Sequence, residues 1–408
     1  MHTSPTASLG HSANGGLNVY VREVCSALSD RGVATDVFSR RLSADDPAIE
    51  RMAPLSRVVY LPAGPPDLDK YSLFGRVPEF TGALARFAAE EGQQYDLLYS
   101  HYWLSGAVAC ALHPLFAVPW VHTAHTLGVV KNRRLARGAA PEPRVRLQLE
   151  GEISRCADLL VVSTASEAED LAAAYGVPRD KAEVIAPGVD LEMFRPRDPE
   201  GSRRLIGYPE ARIVLFVGRL ERLKGVDIVL RAFAANVEGR PDLRLLVVGE
   251  DSRHAGESEK ARLKGLTREL DIEGRVDFLG PVAHHELRHF YSAAAACLMP
   301  SYSESFGLVG LEAQACGCPV IASNVAGLAS VVRDGVTGLL VDGDDPELYA
   351  QALGKVLDDR ALAAAMGRKG ILLAQRFSWQ RTADRLLAAF DRLGAGAQAG
   401  VQASARTE

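Results

Sequence analysis

The stretch SYSESFGLVGLEAQACG, residues 301–317, sets two carboxylates, Glu304 and Glu312, on either side of a glycine-containing turn that runs into an apolar segment. Backbone N–H groups left unpaired at the start of a helix attract anions, so Ser305, Phe306, Gly307 and Leu308 read as a cradle for phosphate oxygens. Glu304 then lies just outside the cradle, where a carboxylate accepts hydrogen bonds from sugar hydroxyls. Glu312, two turns on, is placed to do the same for a ribose. As an ordinary first-turn acid Glu304 would complement the helix dipole by about 0.3–1 kcal/mol. Glu312, between Leu311 and Ala313, is harder to account for as a solvated side chain.

Two further stretches carry the same chemistry. In FVGRLERLKGVDIVL, residues 216–230, a strand-like run ends at Gly218, and Arg219 and Lys224 follow before a helix-like run. A planar guanidinium and a compact ammonium can together neutralise a diphosphate without a metal ion; the alternative is a solvated basic loop. In SANGGLNVYV, residues 12–21, Gly15 and Gly16 precede a segment whose Leu17, Tyr20, Val21, Val24 and Leu28 recur at helical spacing. Paired glycines let a backbone approach a phosphate closely, or make an ordinary tight turn. The GxGxxG pattern of dinucleotide binding is absent from this turn.

These residues need elements to hold them. Apolar or β-branched runs at 34–40, 57–62, 95–101, 119–125, 158–164 and 182–188 alternate with amphipathic segments such as 17–31 and 79–92. The series restarts after residues 190–200, with runs at 212–220, 243–251, 275–280, 296–301 and 319–324. That alternation predicts two doubly wound α/β sheets, with ligands beyond the carboxyl ends of the strands. A length of 408 residues suits two domains. Residues 381–393 read as a closing amphipathic helix, and the small, polar tail 394–408 is expected to be disordered.

Composition excludes other classes. With 46 Lys+Arg against 51 Asp+Glu, the net charge of -5 offers no global field for nucleic acid or an anionic membrane. No signal-peptide pattern and no membrane-length apolar run occurs in the sequence. The six cysteines form no CxxC pair, so the chain is expected to be reduced, soluble and cytoplasmic, with Cys316 and Cys318 as packing residues. The ten histidines lack an HExxH spacing, so neither a metal nor another cofactor is predicted.

Taken together, GGLNVYV, FVGRLERLKG, PSYSESFGLVGLEAQACGCPVIAS and GVTGLLVDGDD resemble the signature of the retaining family-4 glycosyltransferases, over residues 1 to about 393. The resemblance implies the two-domain GT-B fold: residues 1–192, with the closing helix 378–393, as a Rossmann-like acceptor domain, and 193–377 as a Rossmann-like nucleotide-sugar domain. In the first half, MHTSP, SHYWLSG, VHTAHTLGVVKN and PEPRVRLQLEGEI resemble the branch that begins mycothiol synthesis by adding N-acetylglucosamine to inositol 3-phosphate, and more distantly the sucrose-phosphate synthases.

In that branch a Lys, a Tyr, a Thr and an Arg hold the acceptor phosphate; the matching positions are Lys70, Tyr102, Thr126 and Arg146. The resemblance further implies a donor site of Gly15, Gly16, Asn18, Arg219, Lys224, Glu304, Ser305, Phe306, Gly307, Leu308 and Glu312, with Asn18 also reaching the acceptor. It puts His125 beside the donor sugar and makes His125, Arg219, Lys224 and Glu304 the catalytic set. The implied reaction is a metal-independent front-face displacement from a nucleotide sugar, UDP-GlcNAc being favoured, by a homodimer. Another donor or acceptor on the same fold, as in sucrose-phosphate-type, secondary-metabolite or thiol glycosylation, and a nucleotide-sugar epimerase or binding protein remain as alternatives.

Overall fold

The computed structural model describes all residues except 2, 7–14, 44, 137, 252–257 and 405–408, with the backbone alone described over 395–404. In the second half, runs such as RIVLFV and LRLLVV are apolar at nearly every position, the pattern of strands covered on both faces. They form β8 (Arg212–Val217), β9 (Leu243–Val248), β10 (Val276–Gly280), β11 (Ala294–Met299), β12 (Val320–Ser323) and β13 (Gly338–Val341). Every neighbouring pair is parallel, in the order β10-β9-β8-β11-β12-β13.

Alternate residues of these strands feed two cores. Val214, Phe216, Leu245, Val247 and Leu298 pack on one face, and Ile213, Leu215, Leu246, Val248 and Cys297 on the other, as the two-residue period of a strand requires. The chain winds outward from β8 one way to β10, then returns to lay β11 on the opposite side of β8. The β8/β11 junction is therefore the topological switch point, where the crevice of an open α/β sheet lies.

In the first half the strands divide into two sheets. β1 (Thr35–Arg40), β2 (Ile49–Ala53) and β3 (Ser56–Leu61) pair as β1-β3-β2, with β2 antiparallel to β3. β4 (Leu98–His101), β5 (Trp120–Thr123), β6 (Leu159–Val162) and β7 (Ala182–Val184) pair in chain order, all parallel. The expectation of one doubly wound sheet in this half is corrected to that extent. The short run IERMA, which forms β2, carries little strand signal, because Glu50 and Arg51 interrupt its apolar residues and Ile49 and Arg51 are exposed at the edge.

The final helix, Trp379–Ser404, returns to the first half. Trp379, Ala383, Leu386 and Ala389 bury in one cluster with Val21, Val24 and Leu28 of the Gly16–Ser29 helix and with Val121 and Val161 of the sheet. The tail expected to be disordered from residue 394 is helix as far as Ser404. The backbone there extends an already nucleated helix one hydrogen bond per residue, with Ala395, Ala397, Ala399 and Ala403 favouring it and Gly394, Gly396 and Gly400 opposing it. Positions 405–408 of that expectation lie outside the described residues. Among the described residues no helix is long and apolar enough to cross a membrane.

Candidate active site

The switch point fixes the groups predicted for the donor. Gly218 and Arg219 leave the carboxyl end of β8, and Glu304 and Ser305 follow β11, so residues distant in sequence meet. Lys224 Nζ lies 2.6 Å from Glu304 Oε2, both side chains one-fifth exposed. Arg219 pairs with Glu221 at 3.0 Å and is more open. Gly225, at φ +65°, fits under β11 because a Cβ there would stand 2.3 Å from the Pro300 carbonyl oxygen. Gly327 lets its helix approach the Glu304 loop in the same way, where a Cβ would fall 2.1 Å from the Glu304 carbonyl oxygen.

Two helix starts face each other here. The eight-residue helix Leu308–Ala315 begins after Gly307, and the Gly16–Ser29 helix begins after Gly15. A Cβ on Gly16 would lie 3.4 Å from the Leu308 side chain. Free N–H groups of both first turns therefore border one space, with Lys224 and Arg219 at its side, an arrangement that favours a multivalent anion. Ser305 Oγ donates to the His125 carbonyl oxygen from the other half of the chain, tying the two halves at this point. Phe306 differs from the other cradle residues: its ring is 4% exposed and packs on Phe377, so only its backbone faces the loop.

Glu312 is buried, and both of its oxygens are engaged. His284 Nε2 stands 2.7 Å from Oε1, and the Tyr291 hydroxyl donates to Oε2 at 2.9 Å. Arg22 reaches His284 Nδ1 at 3.3 Å from the Gly16–Ser29 helix. Asn18 is 1% exposed and donates to Thr3 Oγ1 and to the Ser4 carbonyl oxygen. It thus binds the start of the chain to the glycine turn, while its own Oδ1 accepts from Gly15 N.

His125 and Tyr102, both predicted site residues, are among the few non-glycine residues at positive φ, 58° and 72°. Backbone held in this sparsely populated region clusters at functional sites. Burial takes the His125 imidazole down to about 3, so it is neutral. Its Nε2 lies 3.0 Å from His101 Nδ1, which leaves Nδ1 as its second polar group.

The residues predicted for the acceptor converge on a buried guanidinium. Arg146 is 0% exposed and donates to Tyr102 Oη at 3.2 Å, Thr126 Oγ1 at 3.0 Å and Glu150 Oε1 at 2.6 Å. It also pairs with Glu142 at 2.8 Å. Lys70 approaches the other oxygen of Glu142 at 3.7 Å. All four sequence-predicted residues are thus brought together, and the structure adds Tyr71, Lys131, Glu142 and Glu150 to the group. Burial alone would raise the Glu142 carboxyl, yet Arg146, Lys131 and Lys70 hold it down at about 2. The one signal that pointed to the added acids is spacing: Glu150 stands four residues after Arg146 on the same helical face, and Glu142 four residues before it, just ahead of the helix that begins at Arg144. Nothing local marked Lys131 or Tyr71.

Cys316 and Cys318 are buried in the core, and burial pushes the Cys316 thiol up to about 12. Among the described residues no group of three or more His, Cys, Asp or Glu side chains is arranged to hold a metal ion.

Comparison with known proteins fits this geometry. The family profile "Glycosyl transferases group 1" matches residues 202–373, and "Glycosyl transferase 4-like domain" matches residues 15–188. The chain is 44% identical over 399 residues to a protein of Corynebacterium jeikeium named D-inositol 3-phosphate glycosyltransferase, covering 96% of this chain and 95% of that one. It is 42% identical to a protein of the same name from Thermobispora bispora, covering 95% and 92%. The sucrose-phosphate synthase structure from Thermosynechococcus elongatus superposes with a TM-score of 0.88 at 35% identity, over 97% of this chain and 98% of that one.

Proposed function

This chain belongs to the group 1 glycosyl transferases of GT-B fold, and from that premise we propose that it moves N-acetylglucosamine from UDP-GlcNAc to inositol 3-phosphate. The observation that carries the acceptor is the convergence of Lys70, Tyr102, Thr126 and Arg146 beyond the ends of β4 and β5. Two cations and two hydroxyls match the charge and hydrogen-bonding capacity of a phosphomonoester. The names of the relatives support the same acceptor.

In this reading the donor diphosphate lies between the two helix starts, against Arg219 and Lys224. Glu304 releases Lys224 to the diphosphate and takes hydroxyls of the sugar, and Glu312 takes the ribose. The acceptor hydroxyl attacks C1 from the face the diphosphate leaves, so the anomeric configuration is retained. The C1–O bond to the β-phosphate breaks, the new C1–O bond forms, and the departing phosphate oxygen accepts the hydroxyl proton. Catalysis then rests on stabilising charge at the β-phosphate and on aligning the two substrates. His125, neutral and fixed by His101, positions the sugar. The cations and helix starts supply the positive field that a metal ion supplies elsewhere.

Incubation with UDP-GlcNAc, UDP-glucose and GDP-sugars against inositol 3-phosphate, inositol and fructose 6-phosphate, read by mass spectrometry, tests the assignment. The expected product is N-acetylglucosaminyl inositol phosphate, with retention seen by NMR. Transfer to inositol alone, undiminished by Lys70→Ala, would sink it. A sucrose-phosphate-type transfer is the second reading, favoured by the similarity to that synthase over almost the whole chain, and the same matrix separates it. The reading also has the enzyme working as a cytoplasmic homodimer, which light scattering checks for subunit number.

A further inference from the structure

Glu142 lies in the segment Pro141-Glu142-Pro143, and Asn132 clamps its backbone from both sides: Glu142 N donates to Asn132 Oδ1 at 2.7 Å, and Asn132 Nδ2 donates to the Glu142 carbonyl oxygen at 3.3 Å. Prolines before and after restrict the same backbone further. The carboxylate is thus delivered to a set place. Oε2 accepts from Tyr71 Oη at 2.7 Å and meets Arg146 at 2.8 Å. Oε1 meets Lys131 at 3.4 Å and Lys70 at 3.7 Å.

Two ammonium groups, a guanidinium and a phenol on one small oxyanion form the ligand set expected of a phosphate oxygen cluster. The side chain is 9% exposed, so these contacts are made out of bulk water, where charge pairing is strong. Lys70 and Lys131 are also drawn toward Glu221 of the second half. Glu142 nonetheless supplies the charge that keeps three cations together when no substrate phosphate is there.

We propose that Glu142 is a built-in stand-in for the acceptor phosphate, and that a phosphorylated acceptor binds by exchanging its phosphate for this carboxylate on Lys70, Lys131 and Tyr71. The proposal rests on the phosphate-site reading above. It makes selectivity a competition: a neutral cyclitol brings no group able to displace Glu142, whereas a dianion outbids a single carboxylate for the same donors. Arg146 keeps Glu150 as its second partner throughout, so the exchange turns the two lysines and the side of Arg146 that met Glu142 toward the phosphate while Arg146 stays anchored.

The exchange is tested by isothermal titration of inorganic phosphate into the full-length enzyme with saturating UDP, which keeps phosphate off the donor side. Wild type, Glu142→Gln and the double variant Lys70→Ala/Glu142→Gln are compared. Gln keeps the shape and an oxygen for Tyr71 but gives up the competing charge. Glu142→Gln is expected to bind phosphate about tenfold more tightly, and Lys70→Ala to cancel the gain. A structural counter-ion role moves the result the other way, since removing it leaves the cations repelling and disordered. Unchanged or weaker phosphate binding by Glu142→Gln, with wild type still binding, overturns the exchange and leaves the phosphate site standing. No phosphate binding by wild type or by Glu142→Gln overturns the phosphate site itself, and the exchange with it.

Discussion

The two halves of the cleft hold their cations differently. On the proposed donor side Lys224 and Arg219 each rest on one carboxylate and stay partly open to solvent. On the acceptor side Arg146 is fully buried and shared among Glu142, Glu150, Tyr102 and Thr126. A partly exposed pair costs less to break than a fully buried one, so in the proposed reading these cations are the ones that exchange Glu304 and Glu221 for a diphosphate. A buried, multiply bonded cation is part of the fold. It fixes the shape of its pocket, and losing it leaves buried acids unbalanced.

The contrast can be broken most sharply at Arg146. Arg146→Ala should lower unfolding stability by about 3–5 kcal/mol, because Glu142 and Glu150 then lie buried without their common partner; denaturant melts measure this. Lys224→Ala is expected to melt within about 1 kcal/mol of wild type, yet to lose on the order of 100-fold in kcat through the lost contact to the leaving phosphate. Near wild-type turnover would remove Lys224 from the mechanism. Equal destabilisation by both variants would abolish the distinction between the two sides.

Smaller effects sharpen it. Tyr291→Phe strips one donor from Glu312, a loss of about 1 kcal/mol, and should raise the donor KM about fivefold while leaving the acceptor KM alone. Lys131 gives a pH signature confined to the acceptor side. Burial first, then Arg146, lowers its ammonium from 10.5 to about 8, so its charge is lost as pH rises through 8. The KM for a phosphorylated acceptor should climb about threefold across that interval, with donor KM flat, and Lys131→Met should flatten the profile. The same shift has the unfolded chain holding more protons between about 8 and 10.5. This group's contribution to stability therefore rises with pH over that window.

Part of the candidate site was legible in residue types. Gly15-Gly16, Arg219, Lys224 and the Glu304 to Glu312 stretch point to helix starts suited to an anion, because glycine turns and first-turn N–H groups are local features. Lys70, Tyr102, Thr126 and Arg146 were reached through resemblance rather than spacing. Lys131, Tyr71 and Glu142 escaped because each, read alone, is an ordinary polar residue near a loop.

By itself, then, the sequence determined most of the strands, though not β2 or β13, and which glycine turns open onto helix starts, since periodicity and glycine conformation act over a few residues. Only the tertiary structure decided that β11 returns to lie beside β8, which brings Glu304 to Lys224 across 80 positions of chain. It alone brought Glu142 against Arg146, Lys70, Lys131 and Tyr71. Strand order and charge pairing are settled by packing and desolvation summed over the whole molecule, and no short stretch records that sum.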